Sequence, residues 1–487
     1  MSSKMLQFTC LDQAPPDKRD AEERRGDFGE IYRPFDADKA AAQASRCEQC
    51  GVPFCQIHCP VGNNIPDWLM LAATGRLEEA YALSSATNNL PEICGRICPQ
   101  DRLCEGRCVL EQSGHGTVTI GSVERHVTET AFAKGWVRPP QPSSERAESV
   151  GIIGAGPAGM TAAEQLRKEG YQVHLYDRHD RAGGLLIYGI PNFKLEKRVV
   201  ERRIRLLADG GVTFHLNFEV GRDAPLEVLR QRHSALLIAT GVYRARELTV
   251  PGAGLPGVHK ALDYLIASNR VGLGDLVPAF AEGGLNAAAK TVVVIGGGDT
   301  AMDCVRTAVR QGARSVKCIY RRDRANMPGS QREVAHAEEE GVEFVWQAMP
   351  EAVLGDESVE ALRCVRMHLG VSDASGRQVP TVVGGSHFTL AADLVITALG
   401  FDPEDLPTLF GSPALAVTRW GTLSVDAKTM MTSLPGVFAA GDIVRGASLV
   451  VWAIREARDA ASGIHEYIQA QSGLDHVRTL PAGRAAR

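Results

Sequence analysis

The sequence predicts a multidomain chain: an N-terminal α-helical unit, then two α/β units with parallel sheets, the second inserted in the first. Three observations carry this. Eight of the 12 cysteines fall between Cys47 and Cys108, in a stretch with helical spacing and no strand pattern. Two later segments, about 140 residues apart, each read as a β-branched run, a glycine-rich turn and a helix-like segment. A short apolar run ending in Gly441-Asp442 returns near the C-terminus and pairs by type with the first of these segments.

The first unit occupies residues 1–145. Its apolar positions Trp68, Leu69, Leu71 and Ala72 suit one face of a helix over 67–83. The polar, proline-rich stretch 138–146 reads as a linker. The first α/β unit is expected at 146–286 plus 420–487, and the second, inserted, at 287–419. Both helix-like segments stop at a glycine, Gly170 and Gly312, a C-terminal cap signal, and a second apolar strand follows each, 172–176 and 315–320.

Gly154, Gly156 and Gly159 have the spacing of a dinucleotide fingerprint in its full context, with a strand before and a helix after. The first glycine serves the tight turn, the second lets backbone approach a pyrophosphate, and the third lets helix pack on strand. The helix start offers unpaired N–H groups and a positive dipole end. Asp177 closes the next strand, where a carboxylate can accept from ribose hydroxyls. Gly296, Gly298 and Ala301 repeat the device, with Asp299 and Thr300 at the helix start. Here the next strand ends in Tyr320-Arg321-Arg322 instead of an acid. Two guanidiniums can bind a 2′-phosphate that a carboxylate would repel, so this site should prefer NADP(H). Both units are thus expected to be Rossmann-like dinucleotide-binding domains.

The cysteines form two groups of four, Cys47, Cys50, Cys55 and Cys59, then Cys94, Cys98, Cys104 and Cys108, each with one Cys-Pro. Disulfides are not expected without a secretory signal. Eight thiolates are what two [4Fe–4S] clusters require, and in bacterial ferredoxins the cysteine before proline ligates the other cluster. That logic assigns Cys47, Cys50, Cys55 and Cys108 to one cluster and Cys59, Cys94, Cys98 and Cys104 to the other. Zinc is the competing reading, but its paired C-x2-C knuckles are represented only by Cys47 and Cys50. Cys10, Cys304, Cys318 and Cys364 stand singly and read as small buried hydrophobes.

Composition narrows the rest. Hydrophobic residues make up 44% and charged residues 23%, and the net charge is −5. This argues against a phosphate-held nucleic-acid binder. No apolar run approaches the ~18 residues of a membrane helix, so no membrane partner is expected. No apolar signal segment is read near Met1, which makes a cytoplasmic location the default.

Gly183-Gly184-Leu185, Ala239-Thr240-Gly241 and Val437-Phe438-Ala439-Ala440-Gly441-Asp442 resemble the flavin-side motifs of two-dinucleotide-domain flavoprotein reductases. The resemblance implies that Gly184, Leu185, Thr240, Gly241, Gly441 and Asp442 contact FAD, the last pair at the ribityl chain. A helix over 449–461 would then aim its N-terminus at the isoalloxazine ring. Alone, Gly441-Asp442 would read as a turn.

The cysteine groups, Asn63-Asn64-Ile65-Pro66, Asp27-Phe28-Gly29-Glu30-Ile31-Tyr32 and Thr119-Ile120-Gly121-Ser122-Val123-Glu124 carry a closer resemblance, over essentially the whole chain. It is to the small subunits of NADPH-dependent glutamate synthases. The first two features are shared with dihydropyrimidine dehydrogenase and NADPH:ferredoxin oxidoreductases. In that family a large (alpha) subunit carrying FMN and a [3Fe–4S] cluster makes L-glutamate from L-glutamine and 2-oxoglutarate. The resemblance implies an electron-input chain using NADPH, FAD and two [4Fe–4S] clusters, with no catalytic acid–base residue. Glu124 is expected near a cluster. A ferredoxin-type reductase is the alternative, and a metal-stabilised adaptor with vestigial nucleotide sites is a third.

Overall fold

The computed structural model describes residues 5–372 and 378–479, with backbone alone for 472–479. The N-terminal unit is helical: Ala37–Ser45, Ile65–Ala73, Leu77–Thr87, Pro91–Ile97 and Ile120–Ala133 surround a core built on Trp68, Leu69, Val123 and Val127. The expected helix over 67–83 is two helices. Gly75 stands between them at φ +78°, a conformation that favours glycine and ends the first turn run at Thr74.

The first parallel sheet has the order Val437–Ala439, Ala235–Ile238, Ser149–Ile153, Gln172–Tyr176, Thr213–His215. Ile152 lies opposite both Leu175 and Leu237. Ser149–Ile153, Ala235–Ile238 and Val437–Ala439 are buried on both faces, which is why they read as continuous apolar runs instead of alternating ones. Helix Pro157–Lys168 crosses back over the sheet, and the long helix Val450–Thr479 packs against it. That last helix runs well past the expected 449–461. Ile464 and Ile468 continue the buried face of Ile454, Ala457 and Ala461 beyond that range.

The second sheet repeats the topology: Val258–Lys260, Leu394–Thr397, Thr291–Ile295, Ser315–Tyr320, Glu343–Trp346, all parallel. Its edge strand Val258–Lys260 and the following helix Ala261–Gly272 come from the segment that sequence assigned to the first unit. Tyr264 and Leu265 of that helix are buried in the second unit's core, so packing draws the segment across. An antiparallel sheet of Ala348–Leu354, Ala361–Ser372, Gln378–Val382 and Phe388–Ala391 follows. A two-strand ladder, Arg244–Ala245 with Phe401–Asp402, joins the two chain crossings.

The three units are riveted by buried ion pairs. Arg203 meets Glu92 at 2.7 and 2.9 Å, both nearly inaccessible to solvent. Arg24 reaches Glu340 at 3.1 Å, and Lys194 reaches Asp303 at 2.9 Å. No helix among the described residues is long and apolar enough to cross a membrane.

Candidate functional site

In both α/β units the glycine turn leaves the C-terminal end of a strand flanked on either side by parallel neighbours, where open sheets form a crevice. Gly154 has φ +109°, and a Cβ there would meet the Ala239 carbonyl oxygen at 2.3 Å. A Cβ on Gly159 would lie 1.9 Å from the Gly154 oxygen, so only glycine lets helix Pro157–Lys168 come this close. Gly156, between them, faces open space. Gly296 and Gly298 reproduce the pattern, with φ +152° at the first and open space at the second. The Asp299 carboxylate accepts from the Ser330 backbone N–H at 2.9 Å, tying this turn to helix Gln331–Glu339.

A cavity of about 230 Å³ opens beside the first turn, lined by Gly154, Asp177, Thr240 and Tyr243 among others. Asp177 Oδ2 accepts from the Ala155 N–H at 2.7 Å, and Oδ1 from the His179 N–H at 2.9 Å. A carboxylate has further lone pairs for a ligand hydroxyl. Thr240 Oγ1 is buried without a partner among the described residues. Gly184 lies against Gly156, and the Gly183 N–H donates to the Ala155 carbonyl at 2.8 Å, so Gly183, Gly184 and Leu185 extend the same turn. Gly441 packs on Ala158, and its N–H donates to Glu456 Oε2 at 3.0 Å. Burial pushes the adjacent Asp442 carboxyl up to about 6. The structure thus gathers Gly154, Gly156, Gly159, Asp177, Gly184, Leu185, Thr240, Gly241, Gly441 and Asp442 around one turn. Sequence reasoning missed Tyr243, Arg178 and Glu404. Arg178 pairs with Glu404 at 2.9 Å, and both line the cavity although they lie 226 residues apart, which no local pattern signals.

At the second turn the two arginines part. Arg321 is exposed and has no side-chain partner among the described residues. Arg322 is buried, and its Nε donates to the Gln378 carbonyl at 2.8 Å. Arg324 pairs with Glu338 at 2.9 Å.

The eight cysteines are brought together in two sets. Cys47, Cys50, Cys55 and Cys108 line one small void with Phe54, Leu69 and Leu110. Cys59, Cys94, Cys98 and Cys104 line another with Trp68, Glu124 and Val451. No three His, Cys, Asp or Glu side chains among the described residues converge as a single-ion site. Burial pushes the Cys47 and Cys59 thiols up to about 11 and Cys55 to about 12. Thiolates here therefore need a cationic group held between them, a demand that an iron–sulfur cluster meets. Glu124 shares the second void; burial pushes its carboxyl up to about 8, with Ser84 donating to it at 3.2 Å. His58 is exposed, and its Nδ1 bonds to the Phe54 carbonyl oxygen at 2.9 Å. Of the single cysteines, Cys304, Cys318 and Cys364 are buried as expected, whereas Cys10 is exposed. It follows the single turn Gln7–Thr9, whose Phe8 packs against the core while Cys10 stays outside.

The second void also touches the first α/β unit. Val451 lies in the first turn of the long helix Val450–Thr479, so this helix start lies between the first glycine turn's surroundings and the second cysteine set. Arg458 of the same helix donates to Asn89 Oδ1 at 2.8 Å and fixes it to the N-terminal unit.

Residues 24–136 match the family model described as dihydropyrimidine dehydrogenase domain II, 4Fe-4S cluster, and residues 148–457 match pyridine nucleotide-disulphide oxidoreductase. The glutamate synthase [NADPH] small chain of Azospirillum brasilense is 68% identical over 97% of this chain and 98% of its own. That of Escherichia coli (strain K12) is 44% identical over 96% of this chain and 100% of its own. Among solved structures, Mycobacterium tuberculosis FprA in complex with NADPH superposes with a TM-score of 0.57 at 21% identity, covering 68% of this chain and 88% of that one. That likeness speaks to the fold.

Proposed function

This chain belongs to the family of glutamate synthase [NADPH] small chains and is an NADPH-dependent oxidoreductase, and from that premise we propose that it is the electron-input subunit of a glutamate synthase. The observation that carries the reading is the second cysteine void, which shares Val451 with the helix that starts after Gly441-Asp442. It supplies a short path from a flavin site to a cluster site.

In this reading residues 146–286 with 420–487 hold FAD and residues 287–419 hold NADPH, the second unit borrowing strand Val258–Lys260. Gly154, Gly156 and Gly159 present helix N–H groups to a pyrophosphate, Asp177 accepts from ribose hydroxyls, and Thr240 Oγ1 supplies an unused hydroxyl. Asp442, with its raised carboxyl, meets a ribityl hydroxyl as donor or acceptor. Gly184, Leu185 and Gly241 shape the same wall. Gly296, Gly298, Asp299, Thr300 and Ala301 cradle the second pyrophosphate. Arg321 is the exposed guanidinium that takes the 2′-phosphate, while Arg322 braces the strand end from beneath.

Bound here, NADPH would supply a hydride, FAD would convert that pair into single electrons, and two [4Fe–4S] clusters would supply one-electron relay. Cys59, Cys94, Cys98 and Cys104, whose void Val451 also lines, would hold one cluster, and Cys47, Cys50, Cys55 and Cys108 the other. The chain's residues bind and exclude water; none has to move a proton during the hydride step. The acceptor is a large partner subunit carrying FMN and [3Fe–4S].

Anaerobic affinity purification from the native host tests the acceptor. A large flavoprotein partner with a processed N-terminal cysteine supports the reading. Ferredoxin alone, or no partner, moves it to a ferredoxin-type reductase with the same internal chemistry.

A further inference from the structure

Two sequence segments, 27–32 and 119–124, take almost no part in the cofactor reading. Both line one polar cavity of about 210 Å³ where the three units meet. Five basic and three acidic side chains face it. Most of the acids are engaged: Glu30 with Arg96 at 2.8 Å and Arg125 at 2.5 Å, and Glu333 with Arg306 at 2.6 Å.

The donors are not all engaged. Thr119 Oγ1, Arg125 Nε and Arg332 Nε are buried without a partner among the described residues. Thr119 is only 4% exposed. It occupies the N-cap of helix Ile120–Ala133 yet makes no cap bond; the Glu105 carboxylate accepts from the Gly121 N–H at 3.0 Å instead. Arg332 Nη2 finds only neutral acceptors, Gln100 Oε1 at 2.5 Å and the Cys98 carbonyl at 3.5 Å. A buried donor without an acceptor costs as much as a lost hydrogen bond. Three of them around one cavity, at a helix start, call for an occupant rich in acceptors.

We propose that this cavity binds a small oxyanion, a carboxylate or a phosphate, between Thr119, Arg125 and Arg332. Because Arg332 also donates to the Cys98 carbonyl, an anion that draws it away is felt at the second cysteine set. The site is independent of which protein accepts the electrons.

Isothermal titration of the intact holoprotein in chloride buffer, with inorganic phosphate and separately with succinate, tests this. Saturable one-site binding of phosphate alone assigns a phosphate ligand, and of succinate alone a carboxylate one. Arg332→Gln and the nearly isosteric Thr119→Val should each weaken that binding about tenfold or more while flavin and iron absorbance is kept. Two results overturn the proposal: no saturable binding of either anion, which leaves a water-filled cavity, or unchanged affinity in Thr119→Val.

Discussion

Arg321 is exposed at its strand end with no side-chain partner among the described residues, so a charge reversal there should disturb a bound nucleotide more than the fold. Arg321→Glu should raise the KM for NADPH by about ten- to a hundredfold, the worth of a charge-assisted contact, and leave NADH nearly unchanged. Steady-state kinetics with both nucleotides reads this, and equal loss for the two would remove the 2′-phosphate role. Gly159 makes a prediction of another kind. A Cβ there would sit 1.9 Å from the Gly154 oxygen, a backbone atom that cannot step aside. Gly159→Ala should therefore purify with little or no flavin, measured as the 450 nm to 280 nm absorbance ratio against wild type. Residues of this sort were legible, because a turn that admits only glycine announces itself in the sequence. Arg322 was not. Sequence reasoning gave both guanidiniums one role, but the antiparallel sheet returns Gln378 over the strand end and captures Arg322 Nε. Nothing local to positions 321 and 322 foretells a neighbour 56 residues away.

At the scale of elements, the two glycine strands, their helices and the second strands were legible from β-branched runs and terminal glycines. The borrowed strand Val258–Lys260 was not, because which sheet a short strand joins is decided by the packing of Tyr264 and Leu265. One link between units is the buried pair Lys194–Asp303, which joins the loop after Gly184 to helix Asp299–Arg310. Asp303→Ala leaves a buried ammonium that has lost its hydrogen-bonded carboxylate, with Glu333 at 3.6 Å. It should cost about 2–3 kcal/mol in urea unfolding. The double replacement Lys194→Met with Asp303→Leu should recover most of that, since removing both charges abolishes the desolvation cost. The first sheet carries a second titratable group of elements. His174, His215 and His233 cluster with Tyr176, and His233 bonds both Ser149 and Tyr176 at 2.9 Å. Burial lowers all three histidines, His233 to about 4. Folded values below the unfolded one mean the unfolded chain binds more protons between them. Their contribution is therefore complete above about pH 6.5 and is lost as pH falls toward 4. Unfolding free energies from urea titrations at pH 7 and pH 5 should differ accordingly, by on the order of 1 kcal/mol, and His233→Gln should narrow the gap.

At the scale of the whole molecule, the proposed route for electrons follows the order of the sites along the fold, and the two cysteine sets make that order testable. The sets interleave in sequence: Cys59 comes from the first group and Cys108 from the second, yet each lines the void of the other group. The interleaving follows from chain geometry. Helix Phe54–Ile57 places Cys55 toward the first void while the turn after it carries Cys59 across, against Trp68 and Cys104. Cys108 returns after two short helical turns to face Cys47, Cys50 and Cys55. If the voids hold the clusters as proposed, Cys108→Ser should lose the outer cluster and keep the inner one. Iron per chain then falls from about eight to about four. Reduction of the flavin by NADPH should stay near wild type, because that set lies away from the Gly441 helix. Electron delivery to the partner should fall steeply, because the last carrier is missing. Cys98→Ser should reverse the pattern at the inner set, interrupting every path beyond the flavin. Iron assay, low-temperature EPR of the dithionite-reduced protein and stopped-flow flavin reduction read the three quantities separately. A Cys108→Ser protein that lost iron from both sets equally would join the two voids into one cooperative unit, and one that lost none would remove Cys108 from the ligand set.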